Sequence, residues 1–109
     1  MDDLISDQGK TYDGFQRQLT SNVKPLFDEL RNYCLSLGKN VIEDVRMHRI
    51  VFCKSMTFRY FADIEPQRDS LIVKIRRDRK EPIREIEVKP NENFDEIKRL
   101  ILDAYTNIH

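Results

Sequence analysis

The chain is poor in the residues that punctuate or cross-link a fold. Its 109 residues hold no tryptophan, three glycines, four prolines and two cysteines. The three glycines are scattered, which excludes a glycine-rich phosphate-cradling loop. Cys34 and Cys53 fall on a predicted helix and a predicted strand, with no C-x-x-C spacing. They read as reduced, partly buried thiols rather than as a disulfide or a catalytic thiol. Long apolar runs are missing too: "RIVFCK" and "LIVK" are among the longest, and nothing here can span a bilayer. The start, "MDDLISDQGK", has acids where a signal peptide needs positive charge and an apolar stretch, so a cytoplasmic protein is expected.

Net charge is absent as well, with 19 basic and 19 acidic residues, but the charges are unevenly spread. Residues 46–80 hold ten bases and four acids, net +6, while the segments on either side are acidic. That basic middle is the strongest hint of a partner in the sequence. The length suits one domain with one core.

Residues 1–20 are weakly patterned and read as a loosely ordered N-terminal arm, with a short helix around "YDGFQRQL". Residues 21–109 read as a single α+β domain. From Asn22 to Leu37, the residues Leu26, Leu30, Tyr33, Cys34 and Leu37 recur at helical spacing. Ser21 or Asn22 is expected to cap this helix, Pro25 fits its first turn, and Gly38 is expected to end it in a left-handed conformation.

Beyond residue 45 the apolar period shortens to two. Strands are expected at "HRIVFCK", "TFRYFADIE", "SLIVKIRR" and "REIEVK". The second alternates Phe58, Tyr60, Ala62 and Ile64 against Arg59, Phe61, Asp63 and Glu65, and Pro66 ends it. Short connections favour antiparallel hairpins. A final helix from Asn93 carries the stripe Phe94, Ile97, Leu100, Ile101, Ala104 and Tyr105, with Asn93 and Glu96 spaced as a capping box. The expected order is α-β-β-β-β-α: a four-stranded antiparallel sheet with two helices on one face.

Two constellations bear on function. Glu87-Val88-Lys89 places an acid and a lysine on one face of a strand, with Asp63 or Asp69 upstream, which is the spacing of a metal-dependent nuclease of the PD-(D/E)xK type. The same alternation, Ile86 and Val88 against Glu85, Glu87 and Lys89, is also what any one-sided strand shows. The chain ends at the helix after it, without the further helix and strand that such a core requires. The second constellation, "KIRRDRK", sets five cations in seven residues at a strand end. Lys74, Arg76, Arg77, Arg79 and Lys80, with Arg59 and Arg68 expected close by and Phe61 or Tyr60 as a stacking platform, make a candidate nucleic-acid or phosphate surface. The plainer alternative is a solvated hairpin balanced by Glu81, Glu85 and Glu87. His48 with Arg46 and Arg49 could hold an anion, and His48 with Cys53 a metal, but neither has the ligand count of a zinc site.

"HRIVFCKS", "RYFADIEPQRDSLIVKIRR" and "IEVKPNENFDEIKRLILDAY" together resemble the small domain of unknown function at the C-terminus of predicted transport proteins, a domain that in some relatives follows a nuclease-like domain. The matching features are the helix end at Leu37-Gly38, strands at Ile50 to Lys54, Phe61 to Gln67 and Leu71 to Ile75, and the helix end from Leu100 to Tyr105. The resemblance covers about residues 22 to 107, and Phe-Ala-Asp-Ile-Glu-Pro-Gln is its most specific part. The connection "RRDRKEP" is shorter here than in many relatives, so a function housed in that insert is not expected. The resemblance supplies no catalytic residues. The expectation is a non-enzymatic binding or interaction module with no cofactor and no metal ligands, acting on a protein or nucleic acid rather than a membrane. Homodimerisation through a sheet edge stays open.

Overall fold

Four-residue connections at 46–49, 55–58 and 67–70 are too short for anything but hairpins, and they lay the strands side by side in chain order. The computed structural model describes residues 11–55, 59–78 and 80–108. Helix α1 spans Tyr12–Gln16 and α2 spans Lys24–Ser36. Strands β1 Val41–Val45, β2 Ile50–Lys54, β3 Arg59–Pro66, β4 Leu71–Ile75 and β5 Arg84–Val88 follow, and α3 closes at Asp95–Asn107. The class is α+β, and the sheet is a five-stranded antiparallel meander rather than the expected four strands.

The unexpected strand is β1. Its register against β2 (Val41 with Lys54, Glu43 with Phe52, Val45 with Ile50) turns Val41, Glu43 and Val45 towards the helices and leaves Ile42 and Asp44 outside. An inward acid hides the amphipathic pattern. Glu43 is tolerated there because Arg31 of α2 reaches it with both Nε and Nη2, the latter at 3.0 Å. The Arg31 guanidinium also lies 3.8 Å from the Tyr12 ring centroid, and the Tyr12 hydroxyl donates to Asp28. Burial and that bond to Asp28 push the Tyr12 hydroxyl up to a pKa of about 12. Helix α1 is therefore tied to α2 and β1, and its Phe15 is buried against Phe27. Of the segment expected to be a loose arm, residues 11–20 pack on the domain, and residues 1–10 lie outside the described residues.

The core lies between the inner sheet face and the helices. The sheet supplies Ile50, Phe52, Ala62, Ile64, Leu71 and Val73, and the helices supply Phe27, Leu30, Ile97 and Ile101. Helix α2 packs on β1, and α3 packs on β3 and β4. In β3 the simple alternation fails. Phe52 faces Ala62 but the next residue, Cys53, faces Tyr60, so Phe61 is the extra residue of a bulge. Phe61 and Ala62 are both fully buried, while Tyr60 moves to the outer face.

Neither helix start uses the expected cap. Val23 and Phe94 occupy those positions without side-chain bonds. Asn22 instead donates to Asp69 at 3.0 Å, Asn93 accepts from the Asp95 backbone N–H at 2.7 Å, and Glu96 binds Arg99. Gly38 is not in a left-handed conformation. Its role is space, because a Cβ there would collide with the Tyr105 hydroxyl and lie 2.7 Å from Asn40 Oδ1. Tyr105 donates to that same Asn40 oxygen at 2.6 Å and packs edge-on against Phe61 at 5.2 Å. Gly38→Ala is expected to lower the unfolding free energy by about 1–3 kcal/mol, as overpacking does. In a Tyr105→Phe background the cost should fall in urea titrations, since the nearer of the two clashing oxygens is gone. Equal costs in both backgrounds would refute this account.

Candidate binding surfaces

The hairpins divide the basic residues between opposite ends and faces of the sheet. Arg59 begins β3 and Arg68 follows its end, so the two are separated by roughly 23 Å of strand. Arg68 therefore does not join the 74–80 cluster. It lines a polar cleft of about 420 Å³ with His48, Gln18, Thr20 and Gln67. Lys74, opposite Asp63 and Glu85, lies on the outer face, as does Arg76, whose guanidinium stands 5.7 Å from the Tyr60 ring centroid. Arg77 turns the other way, donating to Asp103 of α3 at 2.7 Å and to Glu81 at 2.9 Å. Arg59, opposite Lys54, is on the helix side of the sheet. Lys80 is exposed, and Arg79 lies outside the described residues. Phe61, fully buried under Tyr105, presents no face for stacking; Tyr60 holds the outer position instead.

The nuclease constellation does not assemble. Asp63 shares a row with Lys74 and Glu85, whereas Glu87 shares the next row with Ile72 and Glu65. Two strand spacings, roughly 10 Å, separate Asp63 from β5. Glu87 accepts from Ser70 Oγ at 2.7 Å, and Lys89 lies beyond the end of β5, its backbone N–H bonded to Glu92. Asp69 is engaged with Asn22. Among the described residues no three His, Cys, Asp or Glu side chains gather closely enough to hold a metal ion. Burial raises the thiol pKa of Cys34, and burial followed by the charge of Asp44 raises that of Cys53, which disfavours both thiolate nucleophiles. No helix among the described residues is long and apolar enough to cross a membrane.

Two features of the structure do converge. One is Asp63, at the middle of the outer sheet face yet only 7% exposed. Its Oδ2 lies 3.6 Å from Arg49, and its Oδ1 has no hydrogen-bond donor. Burial raises its pKa, and the nearby charges of Arg49 and Lys74 only partly oppose that.

The other is a groove of about 400 Å³ between β5 and α3. Ile86 and Val88 form its floor, with Ile97 and Leu100 as the helical wall. Glu87, Glu92 and Glu96 line the same groove. Its origin is a shortage of cover. Five strands span about 24 Å and two helices about 20 Å. With α2 on β1 and α3 on β3 and β4, the inner face of β5 extends beyond the helices. Ile86 is left partly exposed and Ile83, just before the strand, is 46% exposed. The sequence signal was present in Ile83, Ile86 and Val88, but it indicated a buried face and not an incompletely covered one. Asp63 was visible as an acid flanked by "FA" and "I".

Comparison of the chain with family models, with curated proteins and with solved structures returned no match.

The raised pKa of Asp63 has a definite sign. Between the ordinary carboxylate value of 3.8 and the raised one, the folded state binds more protons than the unfolded state, so stability falls as pH rises through that window. Asp63→Asn is expected to be more stable than the parent at pH 7, because the amide carries no charge to desolvate. The advantage should shrink as the pH drops to the ordinary carboxylate range. Chemical denaturation across pH 4–7 measures it, and an advantage that grows on acidification would refute it.

Proposed function

We propose that the chain is a non-enzymatic interaction module that binds a partner through the open side of its sheet. The observation that carries this is the groove at β5: apolar floor, apolar helical wall, acidic lining, and no cluster of three potential metal-ligating side chains among the described residues. A volume of about 400 Å³ lies within the range of ligand-binding clefts. The resemblance over residues 22 to 107 belongs to the same proposal, because a small domain that accompanies different neighbours suits an adaptor role.

A second reading, nucleic-acid binding, draws on the grouping of Tyr60, Lys74 and Arg76 on the outer face. The acids interleaved there, Asp63, Glu65 and Glu85, and the engagement of Arg77 by Asp103 and Glu81 weaken it.

The two readings separate in one pair of measurements. Peptides selected from a display library on the folded protein should bind at least tenfold more weakly to Leu100→Arg, with the melting temperature of the variant checked alongside. Oligonucleotides of DNA and RNA should show no anisotropy change at 50 mM salt. Salt-sensitive oligonucleotide binding lost in Lys74→Glu/Arg76→Glu, together with selected peptides indifferent to Leu100→Arg, would replace the first reading by the second.

A further inference from the structure

We infer that the occupant of the groove is an extended partner segment with alternating apolar and basic residues, which adds to β5 as a sixth strand. This rests on the interaction-module reading and specifies its ligand.

Backbone comes first. Among the described residues β5 is the last strand of the sheet and pairs only with β4, so half of its N–H and C=O groups point away from the sheet along Arg84–Val88. An incoming strand takes its main-chain bonds from that row.

Side-chain alternation then sets the chemistry. Residues directly across an antiparallel pair share a face. Segment residues opposite Ile86 and Val88 fall on the helix side, where Ile97 and Leu100 complete an apolar slot. Segment residues opposite Glu85 and Glu87 fall on the outer face, beside two exposed carboxylates, and Glu92 adds negative charge at the groove, where Glu96 is already paired with Arg99. Apolar residues alternating with lysine or arginine match both faces at once.

The charge pattern also argues against a second copy of β5 as the occupant. An antiparallel self-pairing that keeps the covered faces together must be centred on a residue. Centred on Ile86 it sets Glu85 opposite Glu87 twice, and centred on Glu85 or Glu87 it sets that carboxylate opposite itself. Like charges directly opposite are destabilising. At the other sheet edge α2 packs on β1 and Arg31 fills the inner side at Glu43.

Three capped heptapeptides test the inference on the full chain: valine alternating with lysine, valine alternating with glutamate, and the lysine composition with its alternation broken. Fluorescence anisotropy should show the alternating lysine peptide binding at least tenfold more tightly than the other two. Binding should slow amide hydrogen exchange within residues 84–88. Glu85→Lys/Glu87→Lys, two exposed positions, should reverse the preference towards the glutamate peptide, an outcome that a purely structural role for these acids does not produce. Peptide binding that Leu100→Arg weakens, but that shows neither protection at 84–88 nor charge reversal, overturns strand addition and leaves the interaction module standing. No binding of any of the three, from a protein that still folds, overturns the inference. Failure of the display selection as well removes the module reading with it. Concentration-dependent dimers abolished by changes in β5 would make a second copy the occupant and likewise overturn it.

Discussion

Width governs this structure. Two helices cannot roof five strands, and the layout follows from which strands go without. Arg31 holds α2 over β1 by binding the inward Glu43, and α1 is locked to the same place through Tyr12 and Asp28. Tyr105 holds the far end of α3 against Phe61 and Asn40, with Lys54 Nζ bonded to the Ile108 carbonyl at 3.0 Å beneath it. These anchors hold α2 over β1 and the end of α3 beside Asn40, Lys54 and Phe61, while α3 as a whole packs on β3 and β4. The deficit then collects at β5, where Ile86, Val88, Ile97 and Leu100 border a groove.

The other face is managed by charge rather than by cover. One row across it runs Asp44, Val51, Asp63, Lys74 and Glu85, and the next sets Glu65 and Glu87 on either side of Ile72. The acids of these rows offset the basic excess of the segment that builds the face. The hairpins sharpen this effect. Consecutive cations such as Arg76 and Arg77 go to opposite faces, one to Tyr60 and the other to Asp103. A charge run in sequence therefore becomes two small, partly neutralised groups in space. Asp63 stands apart on this face, buried with no donor to its Oδ1.

The second helix of the fold, α2, and the last, α3, were legible because their apolar residues recur at helical spacing and no tertiary contact opposes it. Strands β2, β4 and β5 were legible for the corresponding reason at period two. Strand β1 was not, since its inward Glu43 depends on an arginine in a different element. Phe61 was assigned to the wrong face because the bulge opposite Phe52 and Cys53 shifts the phase of β3, and alternation alone carries no sign of an inserted residue. The helix caps failed for a related reason: Asn22 and Asn93 found other partners at Asp69 and the Asp95 backbone.

Sequence by itself determined the α+β class, the antiparallel connectivity, most of the apolar core and the alternation of acids with apolar residues along β5. These depend on local periodicity and on connection length, which neighbours in the chain set among themselves. Only the tertiary structure decided which face Phe61 and Tyr60 occupy, how the cations of 74–80 are divided, and that Asp63 and Glu87 stand apart. It alone placed a groove beside β5. Each of these is a relation between elements distant in the chain, fixed by register and by how much sheet the helices can cover.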